Sequence, residues 1–290
     1  MEQVIQTADG RLLRVEIAGD RRGRPMLMHH GTPGSGHPYE RHVADAAQRG
    51  ICLIGYDRPG YGGSTAQPGR MVAACAADVK AIANELGFDR IGVWGLSGGG
   101  PHALACAALL PELVVGVVSL ASPAPYDAPG LDYFGGMGQE NIDDIELTLT
   151  DEPRAREKAV EDRRQMLAVT VEDMVNMSPT LLSPVDAAAD TGELAEFLHD
   201  GFHDGLAPGV EGWWDDSVAQ LRPWGFELES IAIPVQLWHG RHDRFVPFQH
   251  GEWLAARIPG VEAHLTDEDG HLTLIQRRIP EAHAWLLQRF

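Results

Sequence analysis

The 290-residue chain is poor in lysine and carries only Lys80 and Lys158. Its 42 acidic residues outnumber the 23 basic ones, so the formal net charge at pH 7 is −19. A surface this acidic repels the phosphates of nucleic acids and the headgroups of anionic lipids. We therefore expect neither nucleic acid nor a membrane as the partner of this chain.

Cysteine and long apolar runs are also scarce. Cys52, Cys75 and Cys106 are odd in number, have apolar neighbours and lack the spacing of a metal site. Buried free thiols in a reducing compartment are expected, rather than a disulfide framework. No stretch approaches the roughly 18 apolar residues of a membrane span, and the first residues lack the pattern of a signal peptide. We expect a cytoplasmic protein, and the sequence leaves open whether it is a monomer or a homodimer.

Short apolar runs alternate with helix-like stretches in most of the chain. Four such runs predict buried parallel strands: 26–29, 51–56, 91–95 and 114–122. From about 126 to 227 charged helical stretches replace the strands, and after Pro234 the alternation resumes. The pattern predicts an α/β core of residues 1–125 and 228–290, with a mostly parallel sheet and an inserted helical cap at 126–227.

A glycine-rich turn, VWGLSGGGPH at 93–102, follows the strand predicted at 91–95. It contains no lysine, and Ser97 stands where a dinucleotide-binding fingerprint needs its second glycine, so a phosphate site is disfavoured. Gly-x-Ser-x-Gly instead indicates a nucleophile on a sharp strand-to-helix turn. Gly95 and Gly99 leave space for that turn, because a side chain at either position would clash.

A serine nucleophile needs a base and a group that orients the base. Asp243 follows a predicted strand, and His271 lies in a predicted loop after a later strand. The chain order Ser97, Asp243, His271 is the order expected for this type of turn. Asp127 is the alternative acid, while three other aspartates are expected to be solvated charges: Asp216, Asp267 and Asp269.

These motifs make the chain resemble the α/β-hydrolase family. The matching segments run from residue 29 to residue 271 and are HHGTPG, DRPGYGGS, GLSGG, HGRHDRFVP and DGH. The resemblance implies an α/β-hydrolase fold, a Ser97–Asp243–His271 triad and acyl transfer from a small-molecule substrate to water. No cofactor is implied, and no histidine-plus-carboxylate spacing predicts a metal.

Two backbone N–H groups are expected to bind the oxyanion. One belongs to Gly98, directly after the nucleophile, and the other lies in the loop at 30–34. Pro33 has no N–H, so Thr32 is the expected donor, and Gly31 leaves room for substrate. Asp57 and Arg58, in the DRPG segment, are expected to be structural.

The predicted cap carries apolar side chains that are expected to cover Ser97. Gly31 and four cap residues are predicted to contact substrate: Met137, Met174, Trp213 and Trp214. Other cap side chains share their character: Phe134, Met166, Met177, Phe197 and Phe202. The alternative is that these side chains only hold the cap on the core.

The expected function is cleavage of a carboxylic ester of a small, largely apolar substrate through an acyl-enzyme on Ser97. The stretch HGTPG is similar to the HGGPG of proline iminopeptidase-like members, so aminopeptidase activity is the second reading. Arg58–Pro59 and Gly98 depart from that branch, which tends to carry a glutamine and a tryptophan there. A third reading is a receptor-like relative that binds a small molecule with little turnover.

Overall fold

The computed structural model describes residues 1–174 and 180–290. Its strands are β1 (Glu2–Gln6), β2 (Leu12–Gly19), β3 (Arg24–His29), β4 (Ile51–Tyr56), β5 (Ile91–Leu96), β6 (Val114–Leu120), β7 (Val235–Gly240) and β8 (Glu262–Thr266). They form one sheet in the order β1-β2-β4-β3-β5-β6-β7-β8. The β1–β2 and β2–β4 pairs are antiparallel and the other neighbours are parallel. The predicted mostly parallel sheet is confirmed.

The helices in the described residues are α1 (Glu40–Arg49), α2 (Cys75–Leu86), α3 (Gly100–Leu109), α4 (Gln139–Thr150), α5 (Glu152–Met166), α6 (Val171–Met174), α7 (Pro184–Ala189), α8 (Glu193–Leu206), α9 (Glu211–Gln220), α10 (Phe248–Ala255), α11 (His271–Arg277) and α12 (Ile279–Leu287). Short 3₁₀ turns occupy Val72–Ala74, Ser97–Gly99 and Leu228–Ser230. None of the described helices is long and apolar enough to cross a membrane.

Two apolar cores lie on opposite faces of the sheet, because successive residues of a strand point to opposite sides. Leu27 and Ile54 join the core formed with α2, α3 and α10. Met26 and Leu53 join the core formed with α1, α11 and α12. The central strands are therefore buried on both faces, as their continuous apolar runs predict. Cys52, Cys75 and Cys106 are buried and unpaired, which confirms the expectation of free thiols.

The chain between β6 and β7 contains α4 to α9, and the part of it that the structure describes has no strand. These helices are the predicted insertion. Its boundaries at 126 and 227 stay a prediction, since the last sheet residue before it is Leu120 and the first after it is Val235. Residues 180–220 contain α7, α8 and α9, which lie over the carboxyl ends of the strands. The site described next is formed there.

Two elements differ from what the sequence predicts. The pattern at 40–49 did not indicate α1, whose buried side includes only His42 and Ala46, so its apolar stripe is short. His271 was expected in a loop, and that expectation is wrong because His271 is the first residue of α11. The helix begins at His271 because Asp186, distant in the chain, accepts hydrogen bonds from its first N–H groups, as described below.

Candidate active site

Ser97 is the first residue of the strained 3₁₀ turn that connects β5 to α3. Its φ of 52° lies in the left-handed region, which a non-glycine residue seldom adopts. A Cβ on Gly95 would overlap Gly99 O, and a Cβ on Gly99 would overlap the carbonyl oxygens of His29 and His30. The two glycines are therefore required by close backbone packing, as the sequence indicated. Such strain is typical of functional positions.

Asp243 and His271 meet at the same edge of the sheet. His271 Nδ1 lies 2.8 Å from Asp243 Oδ2. The other carboxylate oxygen of Asp243 accepts from the backbone N–H groups of Phe245 at 2.9 Å and Val246 at 2.8 Å. The Phe245 ring stacks on His271 at a centroid distance of 4.7 Å. Both rotation and tilt of the imidazole are fixed by these contacts.

The electrostatic balance at His271 favours its protonated form. Burial alone would lower the pKa of this imidazole, but the charge of Asp243 and its hydrogen bond outweigh burial, and the pKa is raised. A base with a raised pKa binds a transferred proton more firmly. The neighbouring His239 is different, because burial lowers its pKa and its Nε2 is bonded to Val246 O at 2.8 Å.

Asp186 of α7 caps the helix that begins with His271. Its carboxylate accepts from the backbone N–H groups of His271 at 3.0 Å, Leu272 at 2.8 Å and Thr273 at 3.2 Å. These are the orphan donors of a helix N-terminus, which an acidic cap satisfies. Sequence reasoning missed Asp186, because the residue lies 85 positions before His271 and no local motif connects the two.

Thr32 and Gly98 lie against each other beside Ser97. A Cβ on Gly98 would overlap Thr32 Oγ1, and a Cβ on Gly31 would lie 3.7 Å from Ser97 Cβ. Gly98 belongs to the first residues of a helical turn, whose N–H groups have no intrahelical acceptor. The two residues named as oxyanion donors are thus neighbours at the serine, while that role stays a prediction.

A buried ionic network holds the loop that carries Thr32. Arg58 donates to Gly31 O at 2.9 Å, to Thr32 Oγ1 at 3.0 Å and to Asp216 Oδ2 at 2.7 Å. Arg70 donates to Asp216 Oδ1 at 2.6 Å. Arg58 is fully buried and contacts no solvent, in keeping with the structural role expected for it.

The expectation that Asp216 is a solvated charge is wrong. Asp216 lies on α9 and is 0% exposed. Burial alone would raise the pKa of this carboxyl, but Arg58 and Arg70 outweigh burial and hold the pKa far below its usual range. Asp269 is also buried, contrary to expectation, and accepts from Thr266 Oγ1 and Arg278 Nε. Asp267 is exposed, as expected for a solvated charge.

A cavity of about 540 Å³ opens in front of Ser97 and His271. Its core wall includes Gly31, Thr32 and Gly98, and its cap wall is made by α4, α5, α8 and α9. All the predicted cap contacts line it: Met137, Met174, Trp213 and Trp214. Met166, Phe197 and Phe202 line it too, whereas Met177 lies outside the described residues. Which of these residues contact substrate stays a prediction.

His29 and His30 have separate partners among the described residues. His30 Nδ1 bonds to Gly31 O at 2.7 Å, and its Nε2 accepts from Arg58 N at 3.2 Å. Nitrogen of His29 lies within 4.8 Å of the sulfurs of Cys75 and Cys106, deep beneath the serine turn. Burial raises the pKa of the Cys75 thiol well above its usual range.

Known proteins resemble this chain over most of its length. A 2-hydroxy-6-oxononadienedioate/2-hydroxy-6-oxononatrienedioate hydrolase of Klebsiella pneumoniae is 26% identical over 269 residues, which cover 90% of this chain and 86% of the relative. The AB hydrolase superfamily protein YisY of Bacillus subtilis is 29% identical over 93% of this chain and 92% of its own. A thermophilic esterase from Thermogutta terrifontis has a TM-score of 0.73 at 23% identity, covering 100% of this chain and 99% of the esterase.

The family described as alpha/beta hydrolase fold matches residues 24–277, from β3 to the end of α11. That range contains the serine turn, the Asp243–His271 pair and the whole helical insertion. The chain therefore belongs to the alpha/beta hydrolase fold family and is a hydrolase of that fold.

Proposed function

We propose that the chain is a serine hydrolase that cleaves a carboxylic ester of a small, largely apolar substrate through an acyl-enzyme on Ser97. The observation that carries the proposal is the 2.8 Å contact between His271 and Asp243 at the wall of the cavity that Ser97 also lines. A strained serine, an oriented imidazole and a buried carboxylate are the groups that activated nucleophilic catalysis requires.

In the first half-reaction Ser97 Oγ attacks the ester carbonyl carbon and its proton passes to His271 Nε2. The carbonyl oxygen becomes an oxyanion, which the backbone N–H groups of Thr32 and Gly98 stabilise. Asp243 holds the tautomer with the proton on Nδ1 and stabilises the imidazolium. The C–O bond to the alcohol then breaks, and the alkoxide takes the proton from His271.

In the second half-reaction water replaces the alcohol. His271 Nε2 accepts a proton from the water as its oxygen attacks the acyl carbon. Collapse of the second tetrahedral intermediate releases the carboxylic acid and returns the proton to Ser97 Oγ. Asp243 keeps its charge throughout, because Phe245 and Val246 donate to the oxygen that does not face His271.

The charge of the cavity supports a neutral ester as substrate. Four carboxylates belong to its described lining: Glu140, Asp144, Asp162 and Asp190. Lys158 is the one lysine or arginine among those residues, and it lies 2.8 Å from Asp144 and 2.5 Å from Asp162. No lysine or arginine of the described lining is left for a substrate carboxylate, so the acidic side chains there disfavour an anionic substrate.

Carbon–carbon hydrolysis is the second candidate, and the relatives named for hydroxy-oxo-dienoic acids favour it. The named nonadienedioate has two carboxylates and a ketone but no ester, so water can divide it only by breaking a carbon–carbon bond. The acidic lining described above is unsuited to two substrate carboxylates. We therefore rank the ester reaction first.

The test is a substrate panel with a matched inactive variant. We expect the purified protein to turn over 4-nitrophenyl esters of short and medium acids, and Ser97→Ala to lower kcat by about 10⁴-fold or more. Ester turnover retained by Ser97→Ala contradicts the proposal.

Other arms of the panel separate the remaining readings. Turnover of a 2-hydroxy-6-oxo-dienoate without ester turnover identifies the carbon–carbon reaction instead. Preference for a prolyl 4-nitroanilide with a free amine identifies an aminopeptidase. Covalent labelling of Ser97 by a fluorophosphonate without turnover of any substrate identifies a binding protein.

A further inference from the structure

The side chain of Gln220 lies against both residues that the proposed function uses as oxyanion donors. Gln220 is the last residue of α9, is partly exposed, and lines the cavity together with Ser97. Its Nε2 lies 3.4 Å from Thr32 Oγ1. A Cβ on Gly98 would lie only 2.8 Å from the same nitrogen. The insertion thus brings a neutral amide to the turn where the oxyanion is expected.

The hydrogen bonds of Thr32 decide which end of the amide faces it. The Thr32 hydroxyl has a single proton, which it donates to Asp216 Oδ2 at 3.2 Å. The low pKa of Asp216 keeps this carboxylate ionised, so it can only accept. Arg58 donates to the same hydroxyl oxygen at 3.0 Å. The contact with Gln220 therefore needs an amide that donates, and the nitrogen of the amide faces Thr32.

One N–H of this amide has no acceptor among residues 1–174 and 180–290. The nitrogen carries two hydrogens that point in different directions, and its bond to Thr32 uses one of them. Gly98 has no side chain, and a side chain there would overlap the amide. Nothing on residue 98 therefore stands between the amide of Gln220 and the backbone of the serine turn.

A single oxygen can accept from both Gln220 and Gly98. A Cβ stands about 2.5 Å from the backbone N of its own residue, so Gln220 Nε2 lies within about 5.3 Å of Gly98 N. Two N–H donors at the usual distance of about 2.9 Å reach the same acceptor when their nitrogens are no more than about 5.8 Å apart. An oxyanion bound by the Gly98 N–H is therefore within reach of the Gln220 amide.

The helix of Gln220 is anchored close to this side chain. Asp216, one turn earlier on α9, accepts from Arg58 at 2.7 Å and from Arg70 at 2.6 Å. The backbone oxygen of Gln220 accepts from Trp224 Nε1 at 3.4 Å. A donor that is fixed in advance needs no reorganisation when charge develops on the substrate, which makes oxyanion stabilisation effective.

We propose that Gln220 is a third oxyanion donor, which the insertion supplies to the reaction. Its free Nε2–H donates to the substrate carbonyl oxygen beside the backbone N–H groups of Thr32 and Gly98, and the bond strengthens as that oxygen becomes negative. The amide stays neutral and transfers no proton. The proposal rests on the proposed function and adds a catalytic residue from α9 to it.

The first test replaces the amide by a side chain of similar length that cannot donate. Gln220→Met should lower kcat for a 4-nitrophenyl ester by about tenfold or more and change KM by less than about threefold, because the lost bond is strongest in the transition state. Gln220→Glu keeps the shape of the side chain and exchanges the donor for an acceptor, so it should lose at least as much kcat.

The matched control for these variants is Gln139→Met. Gln139 belongs to the same insertion, is exposed and does not line the cavity. The control should keep the wild-type kcat. A wild-type kcat in both Gln220→Met and Gln220→Glu overturns the proposal.

A double variant separates a direct donor from a residue that only positions Thr32. Thr32→Ala removes the hydroxyl that Gln220 contacts and leaves the backbone N–H of residue 32 in place. A direct donor is still lost when Gln220→Met is added to Thr32→Ala, so kcat should fall by a further factor of about ten. No further fall shows that Gln220 acts only through Thr32, and the proposal is then wrong.

An inhibitor that forms the oxyanion without turnover separates this proposal from the proposed function. Ser97 Oγ adds to the carbonyl carbon of 1,1,1-trifluorodecan-2-one and its proton passes to His271 Nε2. The ketone oxygen becomes the hemiketal oxyanion, and no group leaves. Fluorine NMR measures the dissociation constant, which should rise about tenfold or more in Gln220→Met and stay unchanged in Gln139→Met.

That rise supports the third donor even if the wild-type protein cleaves no ester. Equal dissociation constants for the wild-type protein and Gln220→Met overturn the proposal, whatever the ester kinetics.

Discussion

Two buried aspartates of the helical insertion have opposite surroundings. Asp216 on α9 receives hydrogen bonds from Arg58, Arg70 and Thr32, and its pKa is lowered. Asp190, after α7, has no side-chain partner among the described residues, and burial followed by the charge of Asp186 raises its pKa. Burial acts to raise the pKa at both positions, and the charges of Arg58 and Arg70, which Asp190 lacks, make the difference.

The difference indicates a division of work within the insertion. Two carboxylates that accept several hydrogen bonds hold the parts that the proposed reaction needs fixed. Asp216 holds the loop of Thr32, and Asp186 holds the helix of His271. Asp190, by contrast, belongs to the cavity lining, and its Oδ1 is buried without a hydrogen-bond partner among the described residues. Buried polar groups that lack partners cost stability, and proteins retain them where function needs them.

The largest effect is expected at Asp243, a fully hydrogen-bonded carboxylate that contacts the proposed base His271. Asp243→Asn should lower kcat by about 10⁴-fold, because the asparagine no longer stabilises the imidazolium or the required tautomer. Asp243 raises the pKa of His271, so its loss should also move the acid limb of the kcat/KM profile to lower pH. A pH-rate profile measures both, with exposed Asp267→Asn as the control. An unshifted acid limb would contradict the assignment of Asp243.

The second effect concerns Asp216. Asp216→Ala leaves Arg58 and Arg70 buried without their counter-charge, and such losses cost about 3–5 kcal/mol of unfolding free energy. Urea titration followed by tryptophan fluorescence measures the change. Asp200→Ala, at an exposed position of the same insertion, should have no measurable effect. Equal stability of the two variants would show that the network does not anchor the insertion.

The third effect concerns the cap on α11. Asp186→Ala removes the acceptor of three backbone N–H groups and should cost about 1–2 kcal/mol, the usual loss for a helix cap. The looser helix should reduce kcat more than it changes KM, since His271 is its first residue. Steady-state ester kinetics and thermal unfolding test this, and Asp186→Asn should restore part of both losses. A change confined to KM would argue against a positioning role.

The smallest expected effect is a gain in unfolding free energy rather than a loss. Asp190→Asn removes the charge whose burial raises the pKa of Asp190, so we expect a higher unfolding free energy at pH 7. The folded pKa of Asp190 is raised, so its penalty is complete at high pH and is relieved as pH falls through that pKa. The gain should therefore disappear below about pH 4, near the unfolded value. A thermal-shift series from pH 4 to 8 measures it, and a destabilised variant at pH 7 would contradict the contrast with Asp216.

Local patterns in the sequence predicted the features that depend on neighbouring residues. The serine turn was predicted because Gly95, Ser97 and Gly99 lie within five positions and each glycine has a steric reason. The strands β3 to β6 are predicted because their burial on both faces leaves continuous apolar runs. Positions after predicted strands, chain order and the family resemblance together predict Asp243 and His271 as acid and base, and these two residues lie 2.8 Å apart.

Features that depend on distant partners were missed. The sequence predicts a solvated charge at Asp216, because no residue near it in the chain indicates its partner Arg58, which lies 158 positions earlier. The sequence predicts a loop at His271, because the cap of α11, Asp186, is supplied from α7. The unpaired state of Asp190 is likewise invisible in the sequence, because it is a property of the three-dimensional surroundings.

The cap on α11 has a consequence for the modularity of the fold. Asp186 and Asp216 both belong to the insertion, yet one holds the helix of His271 and the other the loop of Thr32. An exchange of residues 126–227 for the insertion of another hydrolase would remove both anchors together with the cavity wall. We therefore expect that such a chimera would need acidic residues grafted at the two anchor positions to keep the loop of Thr32 and the helix of His271 in place.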